Sequence, residues 1–155
     1  MEISISRQNA FNYLCTLVGN PMLYAVKSPD TELYAFGLGK LVEAVSFRGR
    51  KKEIGTHILH VTCRFKVIWK NGEHRVDIYY EDTPCEKFHS EVKRLVGLKV
   101  KRVALSDKND LWLDFGEYWL VFATFEDGKE SWRFFTSDDE DPHLVASHCS
   151  LHIIT

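Results

Sequence analysis

A segment beginning at Leu17, LVGNPMLYAVKSPDTELYAFG, is answered 78 residues later by LVGLKVKRVALSDKNDLWLDFG, beginning at Leu95. Self-similarity of this kind limits a chain more than any single motif, because both copies must fit one structural plan. Each copy follows a helical pattern. In the second, Thr83, Pro84 and Glu86 stand as N-cap, first helical residue and capping-box partner. Cys85, Phe88, Val92, Leu95 and Val96 then mark one apolar face up to Gly97, with Glu86, Lys87, Ser90, Glu91, Lys93 and Arg94 on the solvated side. In the first copy the same frame gives Ala10, Leu14, Leu17 and Val18, with Ser6 as cap and Gly19 as stop.

Strands follow each helix. CRFKVIWKNGEHRVDIYY alternates about Asn71-Gly72, a strong two-residue hairpin signal. Such a loop fixes the register, so Val67 should face Val76, Phe65 Ile78, Cys63 Tyr80 and Lys66 Asp77. WLVFATFEDGKESWRFFT reads as a second hairpin about Asp127-Gly128, with Val121 opposite Phe134 and Ala123 opposite Trp132. LVASHCSLHII adds a last strand. The expected fold class is therefore α+β: two similar helix-plus-antiparallel-strand units forming one β-rich domain over residues 1-155. The halves are 7-82 and 83-155, and the first carries an insertion at about 38-60.

With 155 residues, 45% of them hydrophobic, the chain has the size of one domain. Twenty Lys and Arg against 22 Asp and Glu give a net charge of -2. That balance argues against nucleic acid and anionic lipid as partners of the whole surface. The N-terminal MEISISRQNAF lacks a secretory pattern and no apolar run approaches a bilayer span, so a cytoplasmic protein with no membrane partner is expected. Cys15, Cys63, Cys85 and Cys149 form no CxxC and sit in apolar patterns, which fits reduced thiols.

Candidate sites are few. HILHVTC places His57, His60 and Cys63 at three-residue steps. On a strand these alternate, so His57 and Cys63 share a face and His60 points away. His148 and His152 share a face but lie ~13 Å apart along a strand, too far for one zinc ion. No metal and no cofactor is expected unless the opening and closing segments converge. The dense basic run, Arg48, Arg50, Lys51 and Lys52, reads as a hairpin tip, and Asp138, Asp139, Glu140 and Asp141 form an acidic loop. The basic run suits phosphate or an acidic partner, the acidic run suits a basic partner, with calcium disfavoured by the absence of EF-hand spacing, and either also suits a solvated turn. Tyr34, Trp69, Tyr79, Tyr80, Trp112, Trp119 and Trp132 serve as core or as interface anchors. No nucleophile elbow, phosphate loop, HExxH or dinucleotide fingerprint stands in the chain.

The order LVGNPMLYAVKSPDTELYAFG, THILHVTCRFKV, a second LVG, then ESWRFF and DEDPH resembles an uncharacterised group of bacterial proteins with a leucine-x-glycine and leucine-histidine-x-x-cysteine-x-arginine layout. The resemblance implies a bacterial cytoplasmic origin and a small β-rich domain. By size and charge alone, such proteins look like the immunity proteins that accompany bacterial toxins. Two expectations follow. One is a non-catalytic intracellular protein-binding module, an immunity protein holding a basic toxin domain being the particular case. The other is a small-molecule or metal-binding domain, an enzyme among the options, that uses histidines gathered between the halves.

Overall fold

The computed structural model describes residues 1–28, 33–45, 48–72, 75–78 and 85–155. In chain order these form β1 (Glu2–Ser4), α1 (Arg7–Leu14), β2 (Met22–Lys27), β3 (Tyr34–Val45), β4 (Lys51–Val61), β5 (Arg64–Trp69) and β6 (Arg75–Ile78). There follow α2 (Cys85–Lys93), β7 (Arg102–Leu105), β8 (Leu111–Asp114), β9 (Tyr118–Ala123), β10 (Trp132–Thr136), β11 (His143–Ala146) and β12 (Leu151–Ile154).

This is a two-sheet β protein, which corrects the α+β expectation. Only two α-helices appear among the described residues, of eight and nine residues. Gly19 and Gly97, at φ +88° and +90°, lie just past the two helical segments, in a left-handed conformation that cannot continue a helix. The helices form no layer. They fill gaps between the sheets, α1 against β7 and α2 against β2. Ser6 caps α1 by accepting from the Asn9 amide at 3.1 Å. The cap expected at Thr83 and Pro84, the Cys63–Tyr80 pair and Tyr79 lie outside the described residues. Glu91, expected in solvent, is 7% exposed and meets Arg94 at 3.5 Å. Val18 and Val96, expected on the apolar faces, are exposed.

The large sheet has the order β1-β12-β11-β10-β4-β3-β2 and the small one β6-β5-β9-β8-β7. Exchanging β2 to β6 for β7 to β11, element by element, turns β11-β10-β4-β3-β2 into β6-β5-β9-β8-β7. Thus β2 to β6 give three strands to the large sheet and two to the small one, β7 to β11 give the reverse, and β12 adds one more strand from the second half to the large sheet. The halves also meet in a reciprocal set of backbone bonds. Gly19 N–H donates to Val100 O at 2.7 Å, as Gly97 N–H does to Met22 O at 2.8 Å. Val100 N–H donates to Asn20 O at 3.0 Å, as Met22 N–H does to Leu98 O at 2.9 Å.

The Asn71-Gly72 hairpin keeps the expected register, Phe65 with Ile78, Lys66 with Asp77 and Val67 with Val76. The Asp127-Gly128 hairpin does not form. β9 pairs with β5 and β8, and β10 with β4 and β11, so residues 124–131 cross between sheets. A strand apolar on both faces wants neighbours on both edges, and β9 finds them in the small sheet. At this corner Thr62 and Cys63 N–H both donate to Ser131 O, at 3.0 and 3.2 Å.

One core lies between the sheets. Phe36 of the large sheet meets Phe65 and Phe122 of the small sheet at ring distances of 5.4 and 5.3 Å. Tyr13 closes one end on Phe134 at 4.9 Å, and Phe88 closes the other on Tyr34 at 4.6 Å.

Candidate functional site: a groove on the large sheet

β3 and β4 run on past the large sheet as a two-stranded ribbon, pairing from Leu41 with Gly55 to Val45 with Lys51. The pairing shifts between Leu38 and Leu41, and a bulge there bends the strands. Thr56 braces the bend, its hydroxyl donating to Leu38 O and accepting from Lys40 N–H, both at 3.3 Å. Run straight, the eight steps from Lys52 to His60 would cover about 26 Å. Both residues nevertheless line one groove of about 490 Å³. The ribbon therefore curls back over the outer face of the sheet.

Alternation along the strands sends Ala35, Ile58, His60 and Phe135 to that outer face, and together with Val26 and Ile54 they make an apolar floor. Ile58 is 5% exposed yet stands outside the main core cluster, so it is buried by the groove wall rather than by the opposite sheet. One wall of the groove depends on a glycine. Tyr24 lies across Gly37, where an added Cβ would come within 2.2 Å of its ring. Gly55 N–H donates to the Tyr24 hydroxyl at 3.3 Å and holds the ring in place.

Beside the floor stands a file of rings and cations. His60 meets Phe135 edge-on at 4.9 Å, and Phe135 stacks on His143 at 4.3 Å. Arg133 lies 3.2 Å from His143 Nδ1 and pairs with Glu130 at 2.7 Å. Burial, then the charges of Arg133, His143 and Lys52, push the His60 imidazole below its usual pKa, against Glu130. Burial and Arg133 do the same to His143. Both rings are thus held neutral near pH 7.

The residues singled out from the sequence do not form one site. His57 is on the inner face, near-parallel to Phe134 at 6.2 Å, with Thr56 Oγ1 2.9 Å from its Nδ1 and its pKa lowered by burial. His60 is on the outer face, as alternation requires. Cys63 is buried in the core, its thiol pushed up by burial. His148 lies at the corner, 3.1 Å from Thr124 Oγ1, and His152 pairs with Glu2 at 2.9 Å. Among the described residues no three His, Cys, Asp or Glu gather as metal ligands would.

Arg48 and Arg50 lie in the turn of the ribbon, Lys51 meets Glu43 at 3.5 Å, and Lys52 reaches the groove. In the acidic loop Asp138 accepts from Glu140 N–H at 2.9 Å and Asp141 from the Thr136 hydroxyl at 2.6 Å. Those two carboxylates tie the turn, leaving Asp139 and Glu140 to project. Burial and Asp141 raise the nearby Tyr13 hydroxyl to about 12.

Sequence reasoning missed Tyr24, Ala35, Ile58 and Phe135. The one available signal was a glycine inside a strand pattern, Gly37, which marks a close approach. Compared with known proteins, the chain matches no family model, no curated protein and no solved structure. No helix among the described residues is long and apolar enough to cross a membrane.

Proposed function

We propose that this chain is a non-catalytic protein-binding module whose groove on the large sheet takes an apolar segment of another protein. The observation that carries this is the floor of Ala35, Ile54, Ile58 and Phe135, apolar side chains on an outer sheet face walled by a curled ribbon. A volume of about 490 Å³ suits a few side chains, and the polar groups at its margin are few. Chemistry would call for an activated group, whereas His60 is surrounded by a ring, two cations and a second imidazole. The free thiols of Cys15, Cys63 and Cys149 suit a cytoplasmic protein. An immunity protein is the case in which the partner is a toxin domain, and Asp139 and Glu140 then add contacts to a basic surface.

The test compares capture of partners from the native source by the wild-type chain and by Ala35→Arg, both first shown to unfold at similar denaturant concentrations. A protein held by the first and lost by the second supports the groove. One retained equally by both, and released only when Asp139 and Glu140 are changed to Lys, would move the binding face to the acidic turn.

A further inference from the structure

The two outer faces hold their charges differently. On the small sheet Trp119 and Trp112 stand edge to face at 5.6 Å, and the Lys70 ammonium and Arg102 guanidinium lie 4.8 and 5.3 Å from the centre of the Trp119 ring. Both cations converge on Asp114, Lys70 at 2.6 Å and Arg102 through Nε at 3.0 Å, and Gly116 N–H donates to the same carboxylate at 2.8 Å. Burial pushes this carboxyl up, but Lys70, Gly116 and Arg102 outweigh it and hold it below the usual range. These charges are therefore fixed near neutral pH. The groove on the large sheet is instead bordered by two imidazoles, His60 in its lining and His143 stacked on Phe135, and an imidazole ordinarily changes charge just below neutrality.

We propose that the groove is gated by protons, holding its apolar occupant at neutral pH and releasing it in mild acid. The inference rests on the reading of the groove as a binding site and adds its regulation. Three features carry it. First, position: His60 lines the groove half-buried, and among the described residues nothing hydrogen-bonds its ring. An apolar occupant that covers it takes away the water on which its charged form depends. Second, connection: Arg133 can only donate to His143 Nδ1, at 3.2 Å, so that nitrogen must carry no proton. Protonating it sets two donors face to face. Arg133 is registered opposite His60, and His143 stacks on Phe135 of the floor, so the bond that acid breaks lies against the groove. Third, surroundings: the charged groups around His60 are Arg133 and Glu130 on one side, His143 beyond Phe135, and Lys52 and Glu53 from the ribbon. β2 and β3 offer it Val26, Ala35 and the Tyr24 ring, whose hydroxyl is engaged by Gly55 N–H. β12 offers His143 the uncharged Ile154, and His152 on that strand is already paired with Glu2 at 2.9 Å. Glu130 favours a charged His60 but is itself bound by Arg133 at 2.7 Å, so burial and the neighbouring cations prevail. The sign follows by linkage. An occupant that buries His60 lowers its pKa further, so binding is strongest where the ring is already neutral and weakens as pH falls through the pKa of the empty site.

The experiment titrates the full chain with the uncharged apolar dye N-phenylnaphthylamine, following dye emission from about pH 8 down to about pH 5, over the range in which circular dichroism shows the native fold. Affinity should be constant at the upper end and weaken by about threefold or more at the lower. His60→Gln, whatever its affinity at the upper end, should lose most of that pH dependence, and His143→Gln part of it. His152→Gln, at the pair with Glu2, should keep it in full. Binding at the upper end by the wild type and not by Ala35→Arg places the dye in the groove. With the dye so placed, equal affinity at both ends of the pH range would leave the groove standing and overturn the gate. Dye held equally by the wild type and Ala35→Arg, or by neither, would remove the groove reading and the gate with it. A pH dependence retained in full by both His60→Gln and His143→Gln would overturn the assignment of the gate to these rings.

Discussion

On the large sheet the row Tyr24, Gly37, Ile58, Phe135 crosses β2, β3, β4 and β10, and on the small sheet the row Ala104, Trp112, Val121, Lys66 crosses the matching β7, β8, β9 and β5. The strand pairing is equivalent in the two rows. In the first the large ring stands on the edge strand and lies flat over the glycine at the second position, with the groove beside it. In the second the edge residue is alanine and the second position is tryptophan, which raises a ridge. One backbone plan therefore yields a groove or a prominence according to which of two neighbouring strands carries the ring. The polar groups differ too: on the groove side two imidazoles held neutral stand with Lys52 and the Arg133–Glu130 pair, while on the ridge side two cations share one buried carboxylate.

The largest expected effect concerns the ridge. Asp114→Ala removes the counter-charge on which Lys70 and Arg102 converge. A fully buried pair would cost more, but both cations reach solvent, so the loss should be about 2 kcal/mol, read as a lower urea midpoint with an unchanged slope. If the midpoint did not move, Trp119 would be held by packing alone and the ridge would not be preorganised by charge.

A smaller effect is expected at the hollow. In Gly37→Ala the new methyl displaces the Tyr24 ring, which gives up its bond with Gly55 N–H. The cost should be about 1 kcal/mol, since the far end of a side chain can move aside. The groove should change shape, seen as altered contacts between ribbon and sheet by nuclear Overhauser effects. An unmoved Tyr24 would show that the close approach to Gly37 does not shape the groove.

The smallest effect separates the faces by pH. Native His60 and His143 have pKa values below those of the unfolded chain, so beneath about 6.5 the unfolded state takes up protons that the native state resists. Their contribution is complete above that pH and declines as pH falls. Asp114 follows the same sign in a lower window, losing its contribution only below about 4. Unfolding midpoints should thus fall gently from about pH 7 to 5, and His60→Gln should flatten that slope while leaving the carboxylate range alone. A slope unaffected by His60→Gln would detach the groove from the histidine titration.

Local rules reached a good part of this architecture. Asn71-Gly72 determined a register because a two-residue loop leaves no slack, and Ser6 and Gly19 marked helix ends by their own backbone chemistry. Asp127-Gly128 misled because the flanking strands are apolar on both faces, and such a strand does not reveal which neighbours it will take. Helix content was overestimated since two amphipathic turns next to a cap look the same in sequence whether they cover a sheet or fill its end. The groove was beyond reach for a different reason. Ala35 and Gly37 acquire meaning only once Phe135, from a strand nearly a hundred residues further on, is set beside Ile58.

The trade of strands between the halves has a bearing on how the chain comes to be folded at all. β4 is completed by β10 and β9 by β5, so neither sheet can be finished from one half. During synthesis the first half must wait, with the edge of β4 open, until β10 has left the ribosome. The β5–β9 pairing spans 49 to 59 residues and the β4–β10 pairing 71 to 79, which places both among slow, non-local contacts. Once both sheets are closed, neither half can open alone without uncovering the core they share, and the molecule should hold together, or fail, as a unit.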